Sequence, residues 1–150
     1  MTLAIATITD SITALVVDDL IIKDTNQIPA AGNQRSAMLI PRASDFMSEV
    51  SMERDSFGGG SSAKMTFYYV LTYRLLYCPI GKDRTNILAP FGNMIAMIGA
   101  IWDAVLAVDV LAGCVDIVPN GIAYVGSVAD PSDTPYWGAD FSFRITEFVN

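Results

Sequence analysis

Apolar and polar positions alternate most regularly between residues 64 and 78. Met65, Phe67, Tyr69, Leu71, Tyr73, Leu75 and Tyr77 interleave there with Thr66, Tyr68, Val70, Thr72, Arg74 and Leu76. A period of two is that of a β-strand, whose successive side chains point to opposite faces. One face is uniformly apolar or aromatic and the other is mixed, so the segment predicts a strand. At about 3.3 Å per residue it would run roughly 50 Å, longer than most strands, and must bend or project past the core. Residues 136–149 repeat the pattern, with Trp137, Ala139, Phe141, Phe143 and Ile145 on one face and Gly138, Asp140, Ser142, Arg144 and Thr146 on the other.

Elsewhere the period lengthens. Ile87, Phe91, Met94, Ile95, Ile98, Ile101, Trp102 and Val105 recur at helical spacing and predict a main helix over residues 86–108 that lies across a sheet. Pro90 fits only its first turn. Ile5, Ile8, Ile12, Leu15 and Val16 predict a first helix over residues 3–17. Its many β-branched residues are weak helix formers, so packing must hold it. Short strands are expected at residues 20–23 and 37–42, the second ending at Pro41, which cannot donate to a ladder. Residues 43–63 read as one long loop ending in the run Gly58-Gly59-Gly60-Ser61-Ser62. That run lacks the G-K-[ST] of a phosphate-binding loop and reads as a hinge. Asn120-Gly121, between apolar runs at 113–118 and 122–128, predicts a tight hairpin, and residues 129–135 a rigid polar loop. No repeat or linker divides the chain, so residues 1–150 are expected to form one α+β domain. Its sheet, mixed or antiparallel, would carry an N-terminal and a main helix on one face, plus a hairpin.

Composition adds a second expectation. The chain of 150 residues is 52% hydrophobic and only 17% charged, against about 25% charged in an average soluble domain. That surplus exceeds what a solitary globule of this size usually hides, and burial against other subunits would satisfy it. Residues 87–108 are long enough to span a bilayer, but Pro90, Asn93 and Asp103 interrupt them and no basic cluster anchors an end. No membrane association is therefore expected. The N-terminus shows neither a charged n-region nor an A-x-A pattern, which predicts a protein without a signal peptide, made in the cytoplasm. A net charge of −7 without Lys/Arg clusters argues against a phosphate-gripping groove.

Candidate chemistry is sparse. Histidine is absent, which removes the commonest general base and neutral metal ligand. No G-x-S-x-G elbow or S-x-x-K motif is present. Cys78 and Cys114 match no metal spacing and read as buried free thiols. Adjacent Asp18 and Asp19 lack a third ligand, Asp103 reads as an exposed helix residue, and Asp130 and Asp133 read as turn formers beside proline. No enzymatic activity, cofactor or metal is expected.

The order of elements resembles the tail terminator (tail-completion) proteins of long-tailed bacteriophages. The likeness rests on the strand at residues 66–77, the helix ending Ala104-Val105-Leu106 and the runs at 114–118 and 122–128. It also rests on the ending Trp137-Gly-Ala-Asp-Phe-Ser-Phe-Arg-Ile-Thr-Glu147, which in that family is a strand closing the sheet. It covers residues 64–150, the earlier third matching only in layout, and no single residue signature is diagnostic. The resemblance implies a homohexameric ring at the head-proximal end of the tail tube in the virion, assembled in the host cytoplasm. Such a ring stops tube polymerisation, contacts the tail tube protein and the head-tail connector or neck proteins, and lets DNA pass through its lumen without specific binding. Phe46, Met47, Met52, Phe57, Tyr68, Tyr73 and Arg74 are the expected subunit or partner contacts. Two other classes compete: another phage connector part (a head-closure or tail-tube protein), and a small-ligand-binding domain with Tyr68, Tyr73 and Arg74 as its pocket wall.

Overall fold

The computed structural model describes residues 4–23, 37–42, 45–54, 65–80, 88–107 and 115–149. In chain order these form α1 (Ile5–Thr13), β1 (Leu20–Ile22), β2 (Ala37–Pro41), β3 (Met47–Arg54), β4 (Met65–Pro79), α2 (Leu88–Leu106), β5 (Val115–Ala129) and β6 (Pro135–Val149). The fold is α+β. One six-stranded sheet runs β1-β2-β4-β6-β5, with β3 also paired to β4, and only the β1–β2 pair is parallel.

The alternation read from sequence decides which face is covered. Phe67, Tyr69, Leu71, Tyr73 and Leu75 of β4 join Ala139, Phe141, Phe143 and Ile145 of β6 in one buried cluster. Ile8 and Ile12 of α1 and Met94, Ile98, Ile101 and Val105 of α2 complete it, so both helices pack on this face. Pro90 falls within the first turn of α2, where its missing N–H costs nothing. On the opposite face, Met38, Ile40, Leu76, Val128 and Tyr136 form a smaller cluster containing no helix residue.

The first helix is shorter than the apolar spacing predicts. Thr9, Ser11 and Thr13 turn their hydroxyls back onto the carbonyls of Ile5, Thr7 and Thr9 at 2.7–3.0 Å, bonds that weaken helix interiors. Val16, expected on the buried stripe, is 88% exposed. No side chain within α1 caps its start. The cap comes from the far end of the chain: the buried Glu147 carboxylate accepts from the Ala4 N–H at 2.6 Å and from the Tyr69 hydroxyl at 2.9 Å. A carboxylate at a helix N-terminus satisfies an orphan donor and suits the helix dipole.

Two expectations about the chain's course are corrected. The segment 43–63 is not one loop, because Met47–Arg54 is strand β3. β2 and β3 pair in turn with the same side of β4: Pro41 faces Tyr73 and Met47 faces Leu71, with Thr72 between the two registers. Thr72 bonds to the end of one and the approach to the other, its carbonyl accepting from Arg42 N–H at 3.0 Å and its N–H donating to Phe46 O at 2.9 Å. The glycine-rich run at 58–62 lies outside the described residues.

Secondly, Asn120-Gly121 is not a hairpin. β5 continues through it with a one-residue bulge at Asn120, and the β5–β6 turn falls at residues 130–134. There Asp130 Oδ1 accepts from the Ser132 N–H, the Ser132 hydroxyl and the Thr134 N–H at 2.7–2.8 Å. Asp133 adopts φ 65°, a left-handed geometry that aspartate tolerates. This turn aligns two strands of fifteen residues end to end. A tight turn at Asn120 would have sacrificed half of that pairing. No helix among the described residues is long and apolar enough to cross a membrane.

Candidate interface

The apolar residues left outside the core are not scattered evenly. Val118, Ile122, Tyr124 and Val125 of β5 and Val50 and Met52 of β3 are all exposed, making six of the eleven large exposed hydrophobics among the described residues. Among the described residues β5 pairs only with β6 and β3 only with β4, so these two strands form opposite margins of the sheet. An exposed apolar edge strand is a template for another chain, and soluble proteins ordinarily blunt it with charge or proline. β5 carries Asp116 and Pro119 early in its course, and from Gly121 to its end it has no charged residue.

Both margins are bulged. The β3–β4 register shifts between Ser48 and Ser51, where Glu49 sits at φ 52°; the β5–β6 register shifts between Ala123 and Gly126, where Tyr124 sits at φ 53°. A tyrosine at positive φ is strained by about 1–3 kcal/mol. Bulges re-aim side chains, and this one leaves Tyr124 72% exposed. Exposed aromatic rings on a rigid strand are the side chains that dominate binding interfaces.

Behind this margin lies a charged knot. Asp140, 1% exposed, is the cross-strand neighbour of Arg74. Arg74 grips it with two bonds, Nε to Oδ1 at 2.7 Å and Nη2 to Oδ2 at 3.0 Å, while Arg42 Nη1 donates to Oδ2 at 2.9 Å. Arg74 Nη1 also donates to the Ala129 carbonyl at the end of β5, at 3.0 Å. The bonds from Asp140 push the Arg74 pKa above the ordinary arginine value, with burial opposing them. Through Arg42 and Arg74, one carboxylate thus links the residue after β2 to β4, β6 and the end of β5.

The seven residues expected at an interface divide. Met52 is 54% exposed on β3, and Tyr68 is half-buried beside it, its hydroxyl donating to Glu53 at 3.2 Å. Phe46 and Met47 are half-buried against the helix-side core, Phe46 edge-on to Tyr73 at 5.5 Å. Tyr73 is fully buried and so belongs to the core of the single chain, because it lies on the face that α1 and α2 cover. Arg74 is occupied by Asp140, and Phe57 lies outside the described residues. Tyr73 and Arg74 are likewise placed too deep or too engaged to form the ligand wall expected of them. The β5 residues were missed because the hairpin assigned to Asn120-Gly121 hid the strand's continuity. Their one sequence signal is an apolar run, Ile122 to Val125, lacking the alternation of a half-buried strand.

Two concavities accompany these surfaces. The larger, about 850 Å³, is an open cleft between the end of α1 and α2, lined in part by Asp18, Asp19, Cys78, Asn93 and Met97. Burial pushes the Cys78 thiol pKa up, which disfavours the nucleophilic thiolate. Cys78 is a half-buried free thiol, and Cys114 lies outside the described residues. No group of three potential metal ligands occurs among the described residues, and Asp103 is exposed. The smaller recess, about 300 Å³, lies at the β3 bulge between Glu49, Ser51, Tyr68, Val70 and Arg144. No protein-family model matches this chain, and a search of curated proteins finds no match to it.

Proposed function

We propose that the protein is a non-enzymatic structural subunit that assembles with copies of itself into a closed ring capping a bacteriophage tail tube. The ring ends polymerisation of the tube protein and offers its other rim to the neck of the head. The observation that carries this reading is the pair of apolar sheet margins, Val118, Ile122, Tyr124 and Val125 on one side and Val50 and Met52 on the other. Two different surfaces at opposite edges of one molecule suit a heterologous, head-to-tail contact, and such contacts close into rings when the rotation per subunit divides a full turn. The net charge of −7 suits a lumen that DNA crosses without being retained.

Light scattering after gel filtration and negative-stain microscopy test the proposal. Single rings are expected, and replacing Tyr124 and Val125 by serine should dissolve them into folded monomers. Long cylinders formed by the protein alone would favour a tube subunit instead. A monodisperse wild-type monomer at micromolar concentration, with no assembly on adding tube or neck proteins, would sink the reading.

A further inference from the structure

The chain contains one Asn-Gly pair, and the fold gives it no turn to make. Pro119 faces Phe143 and Gly121 faces Ser142, so Asn120 is the extra residue of a bulge with no partner on β6. It is solvent-exposed and lies on an outermost strand. Gly121 has ordinary negative φ, and a Cβ added there would meet nothing within 4 Å.

An asparagine followed by glycine carries its own electrophile and nucleophile. The Gly121 nitrogen can attack Cγ of Asn120, forming an N–Cγ bond and a five-membered succinimide. The Cγ–Nδ2 bond breaks and ammonia leaves, taking the nitrogen's proton. Water then opens the ring at either carbonyl to give aspartate or isoaspartate, and no oxidant or reductant takes part. A side chain on the following residue hinders the attack, and regular strand pairing holds the backbone extended and away from it. Here glycine removes the first obstacle and the bulge relaxes the second. We propose that Asn120 is a self-modification site, converting spontaneously to aspartate and isoaspartate in the folded protein. Conversion takes the formal net charge from −7 to −8, one unit more acidic. The isoaspartyl product also inserts a methylene into the main chain of β5, just before Ile122 and Tyr124.

The purified full chain, incubated at mildly alkaline pH, should accumulate one acidic variant by ion exchange. Peptide mapping should place it at residues 120–121, and isoaspartyl methyltransferase should label it. Asn120→Gln should abolish the variant, and Gly121→Ala, which the open space accommodates, should slow it several-fold. A folded chain that stays amidated while the urea-unfolded chain converts would overturn the inference, as would an acidic variant mapping elsewhere. The effect on assembly rests on the ring reading above, and the two fail separately. Converted protein that still forms rings would refute β5 as the contact and leave the modification standing. An inert Asn120 would refute the modification and leave the ring untouched.

Discussion

Asp140 offers the most direct measurement of what holds the strands in register. Its carboxylate is 1% exposed, while the Arg42 and Arg74 side chains retain 19% and 25% of their exposure. Asp140→Asn keeps the shape but replaces one acceptor oxygen with an amide donor facing two guanidinium groups. Three charge-assisted bonds are lost or weakened, and two cations remain beside a site that no longer neutralises them. Removing one partner of a buried ion pair costs about 3–5 kcal/mol. Partial hydration of both arginines places this case near the lower limit, at about 3 kcal/mol. For a chain of this length that corresponds to a melting point lower by roughly 6–12 °C.

Urea unfolding followed by tryptophan fluorescence is the assay, and the midpoint should fall at unchanged slope. Arg74→Met should cost less, about 1.5–3 kcal/mol, because Asp140 keeps Arg42. The double variant should cost clearly less than the sum, since each change removes the same interaction. Replacing all three residues with apolar side chains of similar volume should restore much of the loss, because desolvation of the charges disappears with them. An Asp140→Asn protein within about 0.5 kcal/mol of wild type, inside the range of ordinary surface changes, would refute this account.

The remaining predictions concern the helix clamp, a close approach and the tyrosines. Glu147→Ala should release α1 and cost about 2–4 kcal/mol, since it removes a buried carboxylate's two bonds; faster amide exchange in residues 5–13 than in α2 checks it. Gly138→Ala should destabilise by at least about 1–3 kcal/mol, because the new methyl would land on the Leu75 carbonyl oxygen and within 2.8 Å of Val128 Cγ2; chemical denaturation measures it. Burial, then the bond and charge of Glu147, hold the Tyr69 hydroxyl well above its ordinary 10.0, and burial and Asp130 raise Tyr136. Both phenols ionise more readily in the unfolded chain. Stability should therefore fall as pH rises beyond 10.0, and Tyr69→Phe should blunt the fall. Ultraviolet titration should show both phenols ionising above the ordinary 10.0.

The fold was legible wherever a large side chain had to choose a face. The alternation in residues 65–77 and 137–145 identified the helix-covered side of β4 and β6, because a slip of one residue would turn every ring to the other face. Met94, Ile98, Ile101 and Val105 were assigned correctly for the same reason. Ile95, expected on the same stripe, is instead 44% exposed. β3 was invisible because Met47–Arg54 pairs on one side only and is exposed over six of its eight residues, so no hydrophobic period was required of it. Asp140 and Glu147 gave no local signal. Their partners, Arg74 and Tyr69, lie 66 and 78 residues away and become neighbours only through the β4–β6 register. At Asn120-Gly121 a strong local preference lost to the fifteen-residue pairing of β5 with β6.

That last conflict bears on the molecule's surface. A strand that carries a turn dipeptide, a tyrosine at positive φ and an uncharged apolar edge violates local rules three times within six residues. Sequences usually break such rules where something other than stability is being served. Among the described residues the core closes on β5 through Ile117 and Val128 without Tyr124. The same chain buries Tyr69, Tyr73 and Tyr136 completely, so it has the means to hide a phenol ring where folding requires it. An exposed ring held out by strained backbone is therefore best explained by a surface that meets it. Under the proposed assembly, the apolar surplus read from composition would meet its partner at these two margins.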